Sequence, residues 1–269
     1  MGDRGGELSG VRIEDAWSPR FAAFFGWYAL RQLRTKFHAV RVMPGSRKAL
    51  AELAAYAGPA MVAMNHSSWW DPMLAVVLWR SFFQGRSNLS PMDATQLARF
   101  RFLRKLGIFG IDPDDPRSMD AMGSYVARRM AEMDRPTIML TPQGRFADVR
   151  EPVVPRPGAA ALLAAQPGMR AWSLAMEYGF WADARPEVFL RVVAVETPSD
   201  LRRIGWHRAL EAAMESNQRT LAAAVQSRDA GAFECMVGGD AARVHPVYDL
   251  WLALRGRAGR IEPSRGRVA

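Results

Sequence analysis

Apolar positions along the chain fall into short unbroken runs and longer stretches of helical spacing, and the two kinds alternate. Ala60-Met61-Val62-Ala63-Met64 contains no polar residue, as a strand covered on both faces requires, so residues 59–64 predict a buried strand. Helices are predicted before it over 46–56 and after it over 72–83. A further helix is expected over 94–106, followed by an alternating strand over 105–112. Residues 118–133 carry Met119, Met122, Val126 and Met130 at helical spacing, and 136–141 read as another strand. Residues 187–196 alternate and then run apolar, as a buried strand would, and 201–225 predict a long helix, or two. This alternation predicts one α/β domain: a mixed, mostly parallel central sheet flanked by helices.

Composition supports that picture. The 269 residues are 49% hydrophobic, enough for a substantial core, and there is no internal repeat or low-complexity linker. The single cysteine, Cys235, excludes an internal disulfide framework and points to a reducing compartment. Its surroundings, Phe233-Glu234-Cys235-Met236, predict a small residue near a helix end rather than a nucleophile.

The 36 basic and 27 acidic residues give a net charge of +9, and only Lys36, Lys48 and Lys105 are lysines. Arginine and alanine enrichment also arises from gene base composition, so the excess alone names no partner. No nucleic-acid module accompanies it, and a lipid surface is the better expectation. Residues 21–30 hold three phenylalanines with Trp27 and Tyr28, between Arg20 and Arg31. The run is far shorter than the ~20 residues that span a bilayer. Its aromatic and basic character suits a helix lying among headgroups, and periodicity alone suits a core helix equally well. The acidic, Gly-containing start lacks the features of a cleavable signal peptide.

Candidate chemistry is concentrated in Asn65-His66-Ser67-Ser68-Trp69-Trp70-Asp71-Pro72. Asp71-Pro72 is a good helix opening, with Asp able to cap and Pro tolerated at the first position. His66 then falls in a strand-to-helix turn, where Asp71 can accept a hydrogen bond from its ring. Such a carboxylate fixes the tautomer and stabilises the imidazolium that forms as the other nitrogen takes a proton. A capping aspartate and a loop histidine would leave the same spacing. Trp69 and Trp70 are expected to pack the turn. His38, His207 and His245 lack metal-ligand spacing, so no metal is expected.

In context, this segment resembles the first motif of the glycerolipid (1-acylglycerol-3-phosphate) acyltransferases, His-x-x-x-x-Asp preceded by Asn. The resemblance extends to residues 55–200. Lys105 to Asp112 is similar to the second block, Pro142-Gln143-Gly144-Arg145-Phe146 to the Pro-Glu-Gly-Thr-Arg loop, and Arg156 to Leu163 to the small-residue helix that follows. Pro113 stands where that family has an arginine, Gln143 replaces its Glu, Arg145 comes one position early, and Phe146 occupies the arginine's place. The fourth block reads Ala171-Trp172-Ser173-Leu174, without the family's proline. The base is retained while the phosphate clamp is altered, which separates the reaction type from the choice of acceptor.

The resemblance implies His66 as general base and Asp71 as its orienting carboxylate. Asn65, Gln143, Gly144 and Arg145 are the expected substrate contacts, with Arg145 nearest the acceptor. Backbone amides near the helix start or in the Gln143-Gly144 turn would hold the oxyanion. The implied reaction moves a fatty acyl group from acyl-CoA or acyl carrier protein to a lipid hydroxyl, of lysophosphatidate or another lysophospholipid, with no cofactor. A non-phosphate lipid alcohol as acceptor (a glycolipid, carotenoid glycoside or amino-acid lipid), an acyl-ester hydrolase and a non-catalytic membrane-binding relative are the alternatives. Working on lipids implies a peripheral or monotopic place on the cytoplasmic face of the membrane, with residues 1–45 as an interfacial helical segment. Residues 46–254 would form the acyltransferase domain and 255–269 a basic flexible tail.

Overall fold

Ala60–Met64 forms a strand in which every residue is buried, because helices cover both of its faces. Ala60, Val62 and Met64 belong to one apolar cluster, and Met61 and Ala63 to the cluster on the opposite face. In the computed structural model, which describes residues 11–239, this strand lies at the centre of a nine-stranded sheet. The strands are β1 (Val11–Ile13), β2 (Ala39–Val42), β3 (Ala60–Met64), β4 (Asn88–Asp93), β5 (Ile108–Ile111), β6 (Thr137–Leu140), β7 (Arg170–Gly179), β8 (Glu187–Ala194) and β9 (Glu234–Gly238). Their order across the sheet is β1-β5-β4-β6-β3-β7-β8-β2-β9. Five of the eight neighbouring pairs are parallel, and β1–β5, β7–β8 and β2–β9 are antiparallel.

The main helices are α1 (Pro19–Lys36), α2 (Ser46–Ala55), α3 (Asp71–Phe82), α4 (Ala94–Arg99), α5 (Pro116–Glu132), α6 (Gly158–Ala165) and α7 (Arg203–Ser227). α3 is apolar almost all round because it lies between the sheet and α1. The two helices approach closely through the stripe Ala22, Gly26, Ala29 and Leu33. A Cβ at Gly26 would stand 2.9 Å from Cδ of Arg80, whose Nη1 donates to the Ala23 carbonyl at 2.7 Å. The opposite side of α1 leaves Phe24, Trp27 and Tyr28 exposed. One stripe of α1 therefore packs the core, as a core helix does, and the other faces outward.

Several expectations change. The helix expected over 94–106 ends at Arg99 and continues as a 3-10 segment, Arg101–Leu106. β4 was not anticipated; its Pro91, which has no N–H to give, lies beyond the two residues, Asn88 and Leu89, that pair with β6. Cys235 lies in strand β9, half-buried, and not near a helix end. The stretch expected to form one helix or two over 201–225 is the single helix α7. Within residues 1–45, β1 and β2 are strands of the main sheet, so the sheet crosses the expected boundary at residue 45. The tail expected over 255–269 lies outside the described residues.

Among the described residues, no helix is long and apolar enough to cross a membrane.

Candidate active site

The turn from β3 to α3 closes on a single carboxylate. Asp71 is 1% exposed, and its Oδ2 lies 2.8 Å from Nδ1 of His66. The same oxygen accepts from the backbone N–H groups of Ser67 at 2.9 Å and Ser68 at 3.0 Å. Oδ1 accepts from the Tyr178 hydroxyl at 2.5 Å. Asp71 is the first residue of α3, and its side chain turns back into the preceding loop rather than capping the helix ahead of it. Four hydrogen bonds surround the buried carboxylate, and its role toward His66 is acceptor from Nδ1–H. That tautomer leaves Nε2 with its lone pair, and no protein atom among the described residues bonds to it. His66 is partly exposed, with 22% of its side chain open.

Tyr178 comes from β7. Burial first, and then the charge of Asp71, push its phenol well above the ordinary tyrosine range, so it remains a neutral donor. Phe37, at the end of α1, packs against Trp70 with centroids 5.1 Å apart and against Tyr178 at 6.0 Å. Trp70 thus packs the turn, whereas Trp69 is 72% exposed. Asn65, one residue before His66, is buried and fully engaged by Met176 of β7. Its Nδ2 donates to the Met176 carbonyl at 2.9 Å and its Oδ1 accepts from the Met176 N–H at 2.8 Å. This two-way clamp continues β3–β7 pairing past the last strand residue and fixes the height of His66.

The second wall is the loop after β6. Gly144 N–H donates to the Thr141 carbonyl at 2.9 Å, closing a turn over Pro142 and Gln143. Gly144 has a φ of +66°, and a Cβ there would meet Nε of Arg156 at 2.9 Å, so glycine is required twice over. The loop then returns to His66: Ala147 N–H donates to its carbonyl at 2.8 Å. The Phe146 ring stacks on the imidazole, with centroids 3.9 Å apart and an interplanar angle of 27°. α7 holds the far end, with Gln218 donating to the carbonyls of Val149 and Glu151 and Glu215 accepting from Val153 N–H at 2.8 Å.

The fold brings His66, Asp71 and the Gln143–Phe146 loop together. Gln143 is buried beside the turn. Arg145, expected at the acceptor, instead extends over the surface to Glu151, Nη2 to Oε2 2.6 Å. Its bond also holds the Glu151 carboxyl below the ordinary range. Arg150 reaches Asp148 at 3.6 Å and Glu177 at 3.9 Å. The residues missed from sequence are Tyr178, Glu215 and Gln218, which meet the site only through tertiary contact. Arg156, quoted above for the helix after the loop, is the loop arginine without a carboxylate partner among the described residues. Among those residues no group of three or more His, Cys, Asp or Glu side chains gathers into a metal-binding cluster.

Comparison with known proteins gives several solved structures and one family. Among the structures is the 1-acyl-sn-glycerophosphate (LPA) acyltransferase PlsC from Thermotoga maritima, 14% identical, with a TM-score of 0.49 over 79% of this chain and 80% of that one. No curated protein matches the chain by sequence. The family described as Acyltransferase matches residues 38–170, the segment that carries His66, Asp71 and the Gln143–Phe146 loop. Over residues 38–170 the chain belongs to the acyltransferase family of enzymes.

Proposed function

We propose that the protein transfers a fatty acyl group from a thioester to the hydroxyl of a lysophospholipid or related lipid alcohol, with His66 as general base. The observation that carries this reading is the His66–Asp71 bond of 2.8 Å, with Nε2 left free beside an open loop. Nε2 takes the proton as the hydroxyl oxygen attacks the thioester carbonyl. Asp71 stabilises the imidazolium through Nδ1–H. The tetrahedral intermediate collapses with loss of the C–S bond, and the imidazolium returns the proton to the thiolate. No covalent acyl-enzyme is needed. Oxyanion donors are the backbone N–H groups of Gln143, Arg145 and Phe146, which have no acceptor among the described residues.

The donor is a thioester of coenzyme A or of acyl carrier protein, and the protein lies peripherally on the cytoplasmic face of the membrane, where such donors are found. Supporting the lipid surface is the exposed aromatic stripe Phe24, Trp27 and Tyr28. Phe102 joins it, 6.4 Å from Phe21 and 6.0 Å from Phe25, with exposed arginines on either side.

The test is turnover of labelled acyl-CoA and acyl-ACP by purified His66→Ala against mixed lipid acceptors, with circular dichroism to check folding. A folded variant without acyl transfer is expected. Retained transfer sinks the mechanism, and release of free fatty acid alone by the unaltered protein, whatever the acceptor, would identify a hydrolase instead.

A further inference from the structure

The loop that faces His66 presents an aromatic ring where a charged acceptor would need a cation. Phe146 is 58% exposed, yet its ring covers one face of the imidazole at a centroid distance of 3.9 Å. Resting on the reading of His66 as base, we propose that Phe146 sets the acceptor class. The site takes a hydroxyl flanked by uncharged atoms and discriminates against one flanked by a phosphomonoester.

A hydroxyl giving its proton to Nε2 must come within hydrogen-bond distance of it, so a phosphate attached a few bonds away enters the shell around the imidazole. A dianion entering that shell loses hydration, and guanidinium or ammonium groups aimed at it are the strongest means of restoring the loss. Two arginines of the loop are already committed. Arg145 gives Nη2 to Glu151 at 2.6 Å and Nη1 to the Phe146 carbonyl at 3.2 Å. Arg150 lies between Asp148 and Glu177. These two guanidinium groups face three carboxylates, so the loop supplies no surplus positive charge from them. The ring of Phe146 offers apolar contact and excludes water from one side of the imidazole, which suits a glyceride backbone or a sugar face. Arg156 is the remaining guanidinium of the loop; it lies beside Gly144 and has no carboxylate partner among the described residues, so the test includes it.

The experiment compares kcat/KM for a 1-monoacylglycerol and for the 1-acylglycerol 3-phosphate of the same acyl chain, presented in neutral vesicles. The unaltered protein should favour the neutral acceptor by tenfold or more. Phe146→Arg should move the ratio at least tenfold toward the phosphate, whereas Phe146→Leu should leave it in favour of the neutral lipid. Glu151→Gln, which frees Arg145 without touching the ring, should move the ratio in the same direction as Phe146→Arg and stands in for it if that variant fails to fold. A preference of the unaltered protein for the phosphate, lost in Arg156→Ala, overturns the proposal. So does an unchanged ratio in both Phe146→Arg and Glu151→Gln. His66→Ala run alongside separates the failures: transfer retained there removes the base itself, while a dead His66→Ala with a phosphate preference removes only the assignment to Phe146.

Discussion

Tyr178 donates its hydroxyl to Oδ1 of Asp71 at 2.5 Å from a strand 107 residues further along the chain, and so completes the carboxylate that holds His66. Removing that hydroxyl leaves one oxygen of a buried anion without a donor. A hydrogen bond to a charged group contributes about 1.5–3 kcal/mol. Tyr178→Phe should therefore lower kcat by roughly tenfold, with little change in KM, because the bond orients the base and does not touch substrate. Steady-state kinetics on the acyl thioester test this. A raised KM at unchanged kcat would instead place Tyr178 in substrate binding.

Asn65→Ala should act on stability before it acts on chemistry. The side chain satisfies both the N–H and the carbonyl of Met176, and both would be left buried and unpaired. At about 1–3 kcal/mol for each orphaned group, the loss should be roughly 2–6 kcal/mol. Asn65→Asp keeps the acceptor for Met176 N–H but sets a carboxylate oxygen against the carbonyl, so it should recover only part of the stability. Urea unfolding of the two variants gives the order, and Asn65→Ala as stable as the unaltered protein would remove the clamp from the account.

Most of the fold and the His66–Asp71 pair were readable from local pattern, and the rest of the candidate site was not. Ala60 to Met64 reads as a buried strand because it has no polar position to place. His66 and Asp71 read as a pair because both lie within one turn, where spacing alone fixes their distance. Phe146 reaches His66 across 80 residues, and Tyr178 reaches Asp71 across 107, so no spacing rule marks either. Arg145 misled for a related reason. Its position in the loop was legible, but the acid that captures it, Glu151, is known only once the loop folds back. β4 escaped detection because Pro91 and Ser90 interrupt its apolar pattern, and β9 because five residues of mixed polarity give no period.

Glu177 should make stability depend on pH. It is buried on β7 and burial raises its carboxyl above the ordinary range; Arg150 pulls it back and Asp148 pushes it further up. A raised acid binds its proton more tightly in the folded state than in the unfolded one. Its contribution is therefore fully present below the unfolded value and is lost as pH rises through the folded value. Glu177→Gln removes that titration, at the cost of a distant attraction to an Arg150 that is 65% exposed and worth little. The variant should be more stable than the unaltered protein in mildly alkaline buffer, with the difference shrinking toward acid. Denaturant midpoints across that range check the sign, and a difference that grows toward acid would reverse it.

The outward face of α1 makes a prediction independent of catalysis. Phe24, Trp27 and Tyr28 are exposed on the helix, while Ala22, Gly26, Ala29 and Leu33 hold it to the fold, so polar substitutions at Phe24 and Trp27 should leave the core intact. Fully burying an aromatic side chain of this size contributes about 1.5–3 kcal/mol, and partial insertion among headgroups less. Phe24→Ser with Trp27→Ser should then weaken binding to anionic vesicles by about tenfold or more, read by co-sedimentation, with unfolding midpoints unchanged. Arg20, Arg31, Arg34, Arg99 and Arg101 add attraction that salt screens. Binding by the double variant should therefore fall further in high salt, whereas the unaltered protein should keep a salt-resistant part supplied by the rings. Phe102→Ser separates the contribution of the 3-10 segment, since Phe102 packs on α1 through Phe21 and Phe25. Vesicle binding by the double variant equal to that of the unaltered protein at every salt concentration would show that the aromatic stripe does not meet the lipid, and that attraction to the surface rests on charge alone.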